Sequence, residues 1–205
     1  MIRLFFLGLI LLASGVVIPL AGARCDLRIA RTLGYLCTIA SSAALAAVAG
    51  FVLITGTTIA FSFPHPVTSI IFSISLDRLS SFFLLLIASV AGCVALYAME
   101  YCEHMNAGQQ RNILCACTNL FVLAMVLVIA SATTVAFLFF WELMAAASFL
   151  LVMYEYREQG TRKAGIFYFV MTQLSTLFVM LGIIILSSIT GSFAFSPAGE
   201  MASPM

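Results

Sequence analysis

The sequence predicts an all-α membrane protein with about six transmembrane helices and a short outer β-hairpin between the second and third. Three observations carry that prediction. Of 205 residues, 63% are hydrophobic and 8% charged, against roughly 25% charged in an ordinary soluble domain. The apolar residues gather in runs of about 17–25, the length that crosses a hydrocarbon core of about 30 Å. The charges fall in short clusters between those runs, too few to cover a soluble surface.

The first run, residues 4–22, follows Arg3 and ends near Ala21-Gly22-Ala23, a small-residue pattern that resembles a signal-cleavage site. It is slightly long for the apolar part of a secretory signal, and a second run, 33–54, follows closely, so a retained helix is the simpler expectation. The third run is 79–98. The fourth and fifth, 113–130 and 133–153, form one stretch of about forty residues, too long for one span; Ser131-Ala132-Thr133-Thr134 is where it turns. The sixth is 164–187, which makes 1–205 a single membrane domain.

Between the second and third runs, Thr58-Ile59-Ala60-Phe61-Ser62-Phe63 and Ser69-Ile70-Ile71-Phe72-Ser73-Ile74 alternate apolar and polar residues around Pro64-His65-Pro66. Two β-prone segments flanking a proline turn predict a hairpin at the membrane surface, with His65 a solvated loop residue.

Orientation follows from the cations. The first, third and fifth connections hold Arg24, Arg28, Arg31, Arg111, Arg157, Arg162 and Lys163, while Arg3 and Arg78 lie on the other side. The positive-inside rule makes the richer side cytoplasmic and places both termini outside. A net charge of +1 leaves no basic stripe for phosphates, so nucleic acid is excluded as a partner. Of six cysteines, only Cys115-Ala116-Cys117 are close, without CxxC spacing, so neither a metal nor an iron–sulfur centre is expected in this chain. His104 stands alone in a loop, and the tail beyond residue 196 carries no signal.

The residue that points to chemistry is Glu142, near the middle of the fifth run. A carboxylate there costs about 2.5–3.5 kcal/mol to insert, so it is expected to face the bundle interior or a hydrated path and to exchange protons; the alternative is a carboxyl that ties helices together. Ala145-Ala146-Ala147-Ser148 supplies small side chains one turn on, which suit close helix approach. In the sixth run Thr172, Gln173, Ser175 and Thr176 lie at mid-depth, either extending a hydrated chain from Glu142 or acting as interhelical glue; Asn119 reads as glue. Asp77 and Arg78 open the third run as a helix-terminal acid and a snorkelling cation. Glu100 and Glu103 close it, and Arg162 and Lys163 open the sixth, at an interface where proton loading or partner docking is an alternative to simple solvation.

Ser75-Leu76-Asp77-Arg78-Leu79-Ser80-Ser81-Phe82-Phe83 and Phe140-Trp141-Glu142-Leu143-Met144 resemble the antiporter-like membrane subunits shared by complex I, Mrp-type antiporters and membrane-bound hydrogenases. The stretch from Lys163-Ala164-Gly165 to Met171-Thr172, running on to Gly191-Ser192-Phe193, is most similar to hydrogenase-4 component B and formate hydrogenlyase subunit 3. The likeness spans roughly residues 70–195.

That resemblance implies a bacterial inner-membrane subunit, with no redox centre of its own, that couples electron transfer to movement of protons or Na+. Nickel–iron and iron–sulfur centres would belong to partner subunits, membrane and peripheral, and lipids would surround the chain. Glu142 matches the family's fifth-helix glutamate in the proton path, with Gln173, Thr172 and Thr176 as weaker candidates. Two departures accompany it. The family's later helices and central lysine are not in this sequence, which looks like the first part of such a subunit. Gln173 stands where relatives carry His or Arg, which weakens the polar link from helix six. Fragment of a cation/proton antiporter, and non-transporting scaffold or remnant, are the alternatives.

Overall fold

The computed structural model of the chain describes residues 1–22, 28–63, 72–102, 108–155 and 158–190. In chain order these form α1 (Ile2–Gly22), α2 (Arg28–Thr55), β1 (Ile59–Phe63), β2 (Phe72–Leu76), α3 (Arg78–Tyr101), α4 (Gly108–Ala130), α5 (Thr134–Val152), a 3-10 turn (Met153–Glu155) and α6 (Gln159–Thr190). All six helices are long and apolar enough to cross a bilayer, and the chain is a multi-pass, all-α membrane protein with one short hairpin. Arg24, Cys25, the Pro64-His65-Pro66 turn, Glu103, His104, Arg157 and residues 191–205 lie outside the described residues.

The helices overrun the apolar segments that predict them. With 28 residues in α2 and 32 in α6, they rise about 42 and 48 Å at ~1.5 Å per residue, well beyond the ~30 Å core. Arg28, Arg31, Arg111, Arg162 and Lys163, expected in connections, are therefore helical. Hydropathy marks where the hydrocarbon ends, whereas the helical hydrogen-bond ladder continues into the interface, where long cationic stems reach the headgroups. Arg31 departs furthest from expectation, since it is only 4% exposed.

The first four helices form the packed part of the molecule. Lipid is as apolar as leucine, so close contact comes from small residues and interhelical hydrogen bonds. Ser41 Oγ of α2 donates to the Gly8 carbonyl of α1 at 2.8 Å. Thr38 Oγ1 of α2 donates to Asn119 Oδ1 of α4 at 2.7 Å, and Asn119 Nδ2 donates to the Cys115 carbonyl at 3.0 Å. Around these bonds Phe5, Leu12, Leu45, Val48, Leu84 and Val126 form an apolar core.

At one end of the bundle, β1 and β2 pair antiparallel from Ile59 opposite Leu76 to Phe63 opposite Phe72. The second strand begins later than its alternation predicts and runs on to Leu76, which is fully buried in the core. The α4–α5 turn joins the hairpin: Ile74 pairs with Ser131, and Ala132 N donates to the Ser73 carbonyl at 2.9 Å. Extended pairing at residues 131–133 is what divides the forty-residue apolar stretch into two helices. Gly56 ends α2 with φ +67°, a left-handed conformation that disfavours a Cβ, and the Arg78 guanidinium occupies the place a Cβ would take. Asp77 caps α3 by accepting from Ser80 N at 2.7 Å.

The last two helices are less enclosed. Along α6, Phe167, Val170, Leu174, Phe178, Leu181 and Ile185 are all exposed, and the helix rests chiefly on α5 and the 3-10 turn.

Candidate functional site

Among the described residues, side-chain hydrogen bonds at three places join α5 to α6. Gln173 Nε2 donates to Glu142 Oε2 at 3.2 Å. Trp141 Nε1 donates to Thr176 Oγ1 at 3.2 Å. Ser148 and Tyr168 share a hydrogen bond at 2.8 Å between their hydroxyls. Partners rise along one helix as they fall along the other, as antiparallel neighbours must. Glu142 is half-buried within this seam.

Gln173 and Thr176, two of the weaker expected site residues, thus do meet α5. Thr172 turns its hydroxyl back to the Phe169 carbonyl at 2.8 Å, and Ser175 does the same to Met171 at 2.9 Å. The link expected to be weakened by glutamine is nevertheless formed. The amide reaches the carboxylate without bringing a charge.

Beside the seam, between α4, α5 and α6, lies a cavity of about 380 Å³ whose walls include Trp141, Ser148, Tyr168, Thr172, Ser175 and Thr176. Five of those six carry hydroxyls that both donate and accept, while Phe121, Met144, Ala145 and Met171 make the rest of the wall apolar, so ordered water has partners on the hydroxyl-bearing side alone.

The remaining expected site residues stand at helix ends, away from Glu142. Asp77 and Arg78 are exposed at the hairpin end. The Ser80 N–H holds the Asp77 carboxyl below the usual carboxylate range. Glu100, Arg162 and Lys163 are exposed at the opposite end. Among the described residues no group of three or more His, Cys, Asp or Glu has a metal-binding arrangement.

Sequence reasoning passed over Ser148 and Tyr168 as a pair. The signal was present: Trp141 and Ser148 lie two turns apart, and Tyr168, Thr172 and Thr176 repeat every fourth residue, which puts each set on one helix face. It also passed over a buried polar group in the first four helices, where Tyr35 and Cys102 meet at 3.3 Å and Asn112 Nδ2 donates to the Gly22 carbonyl at 3.1 Å.

Comparison with known proteins bears on the family and the fold. Residues 65–111 match the family model for the N-terminus of NADH-ubiquinone oxidoreductase (complex I) chain 5, and residues 131–204 match that for the NADH:quinone oxidoreductase/Mrp antiporter transmembrane region. An uncharacterized protein of Mycobacterium tuberculosis is 40% identical over 128 residues, 62% of this chain and 20% of that protein. The F420H2 dehydrogenase subunit N of Methanosarcina mazei is 30% identical over 199 residues, 96% of this chain and 37% of that subunit. This chain therefore spans between about a fifth and somewhat over a third of these relatives. In the structure of a membrane-bound sulfane sulfur reductase, an archaeal respiratory membrane complex, one chain superposes with a TM-score of 0.66 at 20% identity, covering 89% of this chain and 28% of that one. The chain belongs to the antiporter-like membrane-subunit family of complex I and the Mrp antiporters.

Proposed function

We propose that this chain supplies Glu142 as the proton-exchanging carboxylate of a subunit that couples ion movement to electron transfer in a hydrogenase-4 or formate hydrogenlyase type complex. The observation that carries the reading is the Glu142–Gln173 contact, a mid-span carboxylate held from the next helix beside a cavity with hydroxyls along part of its wall. The amide suits both protonation states, since its NH2 donates to a carboxylate and its carbonyl accepts from a carboxylic acid. A glutamine does not titrate, so of this pair only Glu142 is able to exchange a proton. Ser148, Tyr168 and Thr176 would order the water that brings protons to it.

In this reading the nickel–iron and iron–sulfur centres sit in partner subunits. The chain lies in a bacterial cytoplasmic membrane with its arginine-rich end inside and both termini outside. The hydrogenase branch rests on residues 163–172. A cation/proton antiporter is the second reading, favoured by the Mrp component of the family model matched over 131–204.

The test is Glu142→Gln in the full-length protein in its native membrane, with complex assembly followed on native gels. Coupled proton uptake is expected to fall on the order of a hundredfold while the complex still assembles. Hydrogen evolution and sodium efflux in the same strain separate the two branches. Wild-type transport by an assembled Glu142→Gln complex would leave the scaffold reading and end this one.

A further inference from the structure

A second cleft lies between the start of α4 and the end of α5, apart from the Glu142 seam. It measures about 320 Å³, with Ile113, Leu114, Cys117, Phe149 and Leu150 among its walls and Tyr154 toward the membrane end. Its α4 wall runs from Gln110 to Cys117, a rise of about 10 Å, so it leads from the membrane surface into the hydrocarbon.

The first turns of α6 pack against one of its wall residues, Met153. Gly165 lies so close to Met153, which lines the cleft, that a Cβ there would collide with its sulfur. One turn earlier, Arg162 and Lys163 are exposed, and neither makes an ion pair with a described residue. The acid of the same turn, Glu158, accepts from Thr161 Oγ1 at 3.4 Å.

We propose that this cleft binds one acyl chain of an anionic phospholipid whose headgroup rests on Arg162 and Lys163. The walls offer water too few polar partners to hold it in order, whereas a hydrocarbon chain entering from the interface meets apolar surface along the whole depth. The two cations select among lipids, because an anionic headgroup gains an attraction that a zwitterionic one lacks.

The full-length protein is reconstituted into phosphatidylcholine vesicles that contain a photoactivatable acyl chain, carried in one sample by phosphatidylglycerol and in the other by phosphatidylcholine. The phosphatidylglycerol probe is expected to label residues 110–117 and 149–154 in clear excess over the other. Arg162→Gln and Lys163→Gln should each reduce that excess about fivefold. Leu150→Trp, which fills the cleft from an exposed position, should abolish labelling there by both probes and leave labelling of the exposed α6 face unchanged. Equal labelling by the two headgroups, indifference to both cation substitutions, or a cleft that cross-links to protein instead of lipid each overturns the proposal.

Discussion

Adding one methyl group at Gly15 tests the account of how the first four helices are held. A Cβ there would lie 2.5 Å from Asn119 Oδ1 and 2.8 Å from its Cγ, where van der Waals contact needs about 3.5 Å or more. Roughly 1 Å must be found. Asn119 cannot turn away freely, because Thr38 donates to it at 2.7 Å and it donates to the Cys115 carbonyl at 3.0 Å. If the side chain yields, two intramembrane hydrogen bonds are lost at about 0.6 kcal/mol each. If α1 yields instead, the overpacking costs about 1–3 kcal/mol. Gly15→Ala should therefore destabilise the chain by about 1–3 kcal/mol by either route. Asn119→Ala alone forfeits the same two bonds and leaves a gap, although the single Thr38 hydroxyl proton is then able to turn to the Gly34 carbonyl at 3.1 Å. In the double variant the new methyl enters the space the amide vacates, so the combined loss should fall short of the sum by about 1 kcal/mol. Titration with denaturing detergent, followed by far-ultraviolet circular dichroism, measures all four corners of the cycle. Additivity within about 0.5 kcal/mol would refute the contact.

Two other outcomes follow from the helix ends and the seam. Asp77→Ala removes the α3 cap and should cost about 1 kcal/mol near neutral pH. Because the native carboxyl titrates below its ordinary value, the advantage of Asp77 is complete above about pH 3.9 and disappears as pH falls through the native value. Variant and native chains should then converge in acid, and thermal unfolding at both pH values detects a gap that persists. The chain has a single tryptophan, so Thr176→Val, which removes the acceptor of the Trp141 N–H, should shift its fluorescence to shorter wavelength. An unchanged spectrum would mean that the two helices do not meet there.

The membrane class, the six apolar spans and the break at Ser131-Ala132 were legible because each follows from how many apolar residues stand in a row. Helix ends were less legible, since hydropathy stops at the hydrocarbon boundary while α2 continues to Arg28 and α6 begins at Gln159. Which face of each helix is buried was harder still. In a bilayer both faces are apolar, so the usual amphipathic signal is weak, and small residues carry the information instead. In α1 the buried set is Phe5, Gly8, Leu12, Gly15, Pro19 and Gly22, a stripe with glycine at every seventh position. The pairing of Glu142 with Gln173 could not be read from either helix alone, because it depends on how α6 is set against α5.

The contrast between the two parts of the molecule bears on why Glu142, rather than another buried polar group, is the residue proposed to exchange protons. Asn119 is fully enclosed and fixed by two hydrogen bonds on opposite sides of its amide, and it has no proton to trade. Gaining or losing water there would separate helices that touch through glycine. Glu142 has one neutral partner from α6, stands half-buried, and lies beside a cavity with hydroxyls along part of its wall. A change of charge on it can be met by reorienting one amide and a few waters, without repacking α1 to α4. A tightly packed group of four helices and a polar, partly open seam on its flank are together what a mid-membrane carboxylate needs if it is to change protonation state repeatedly while the fold stays put.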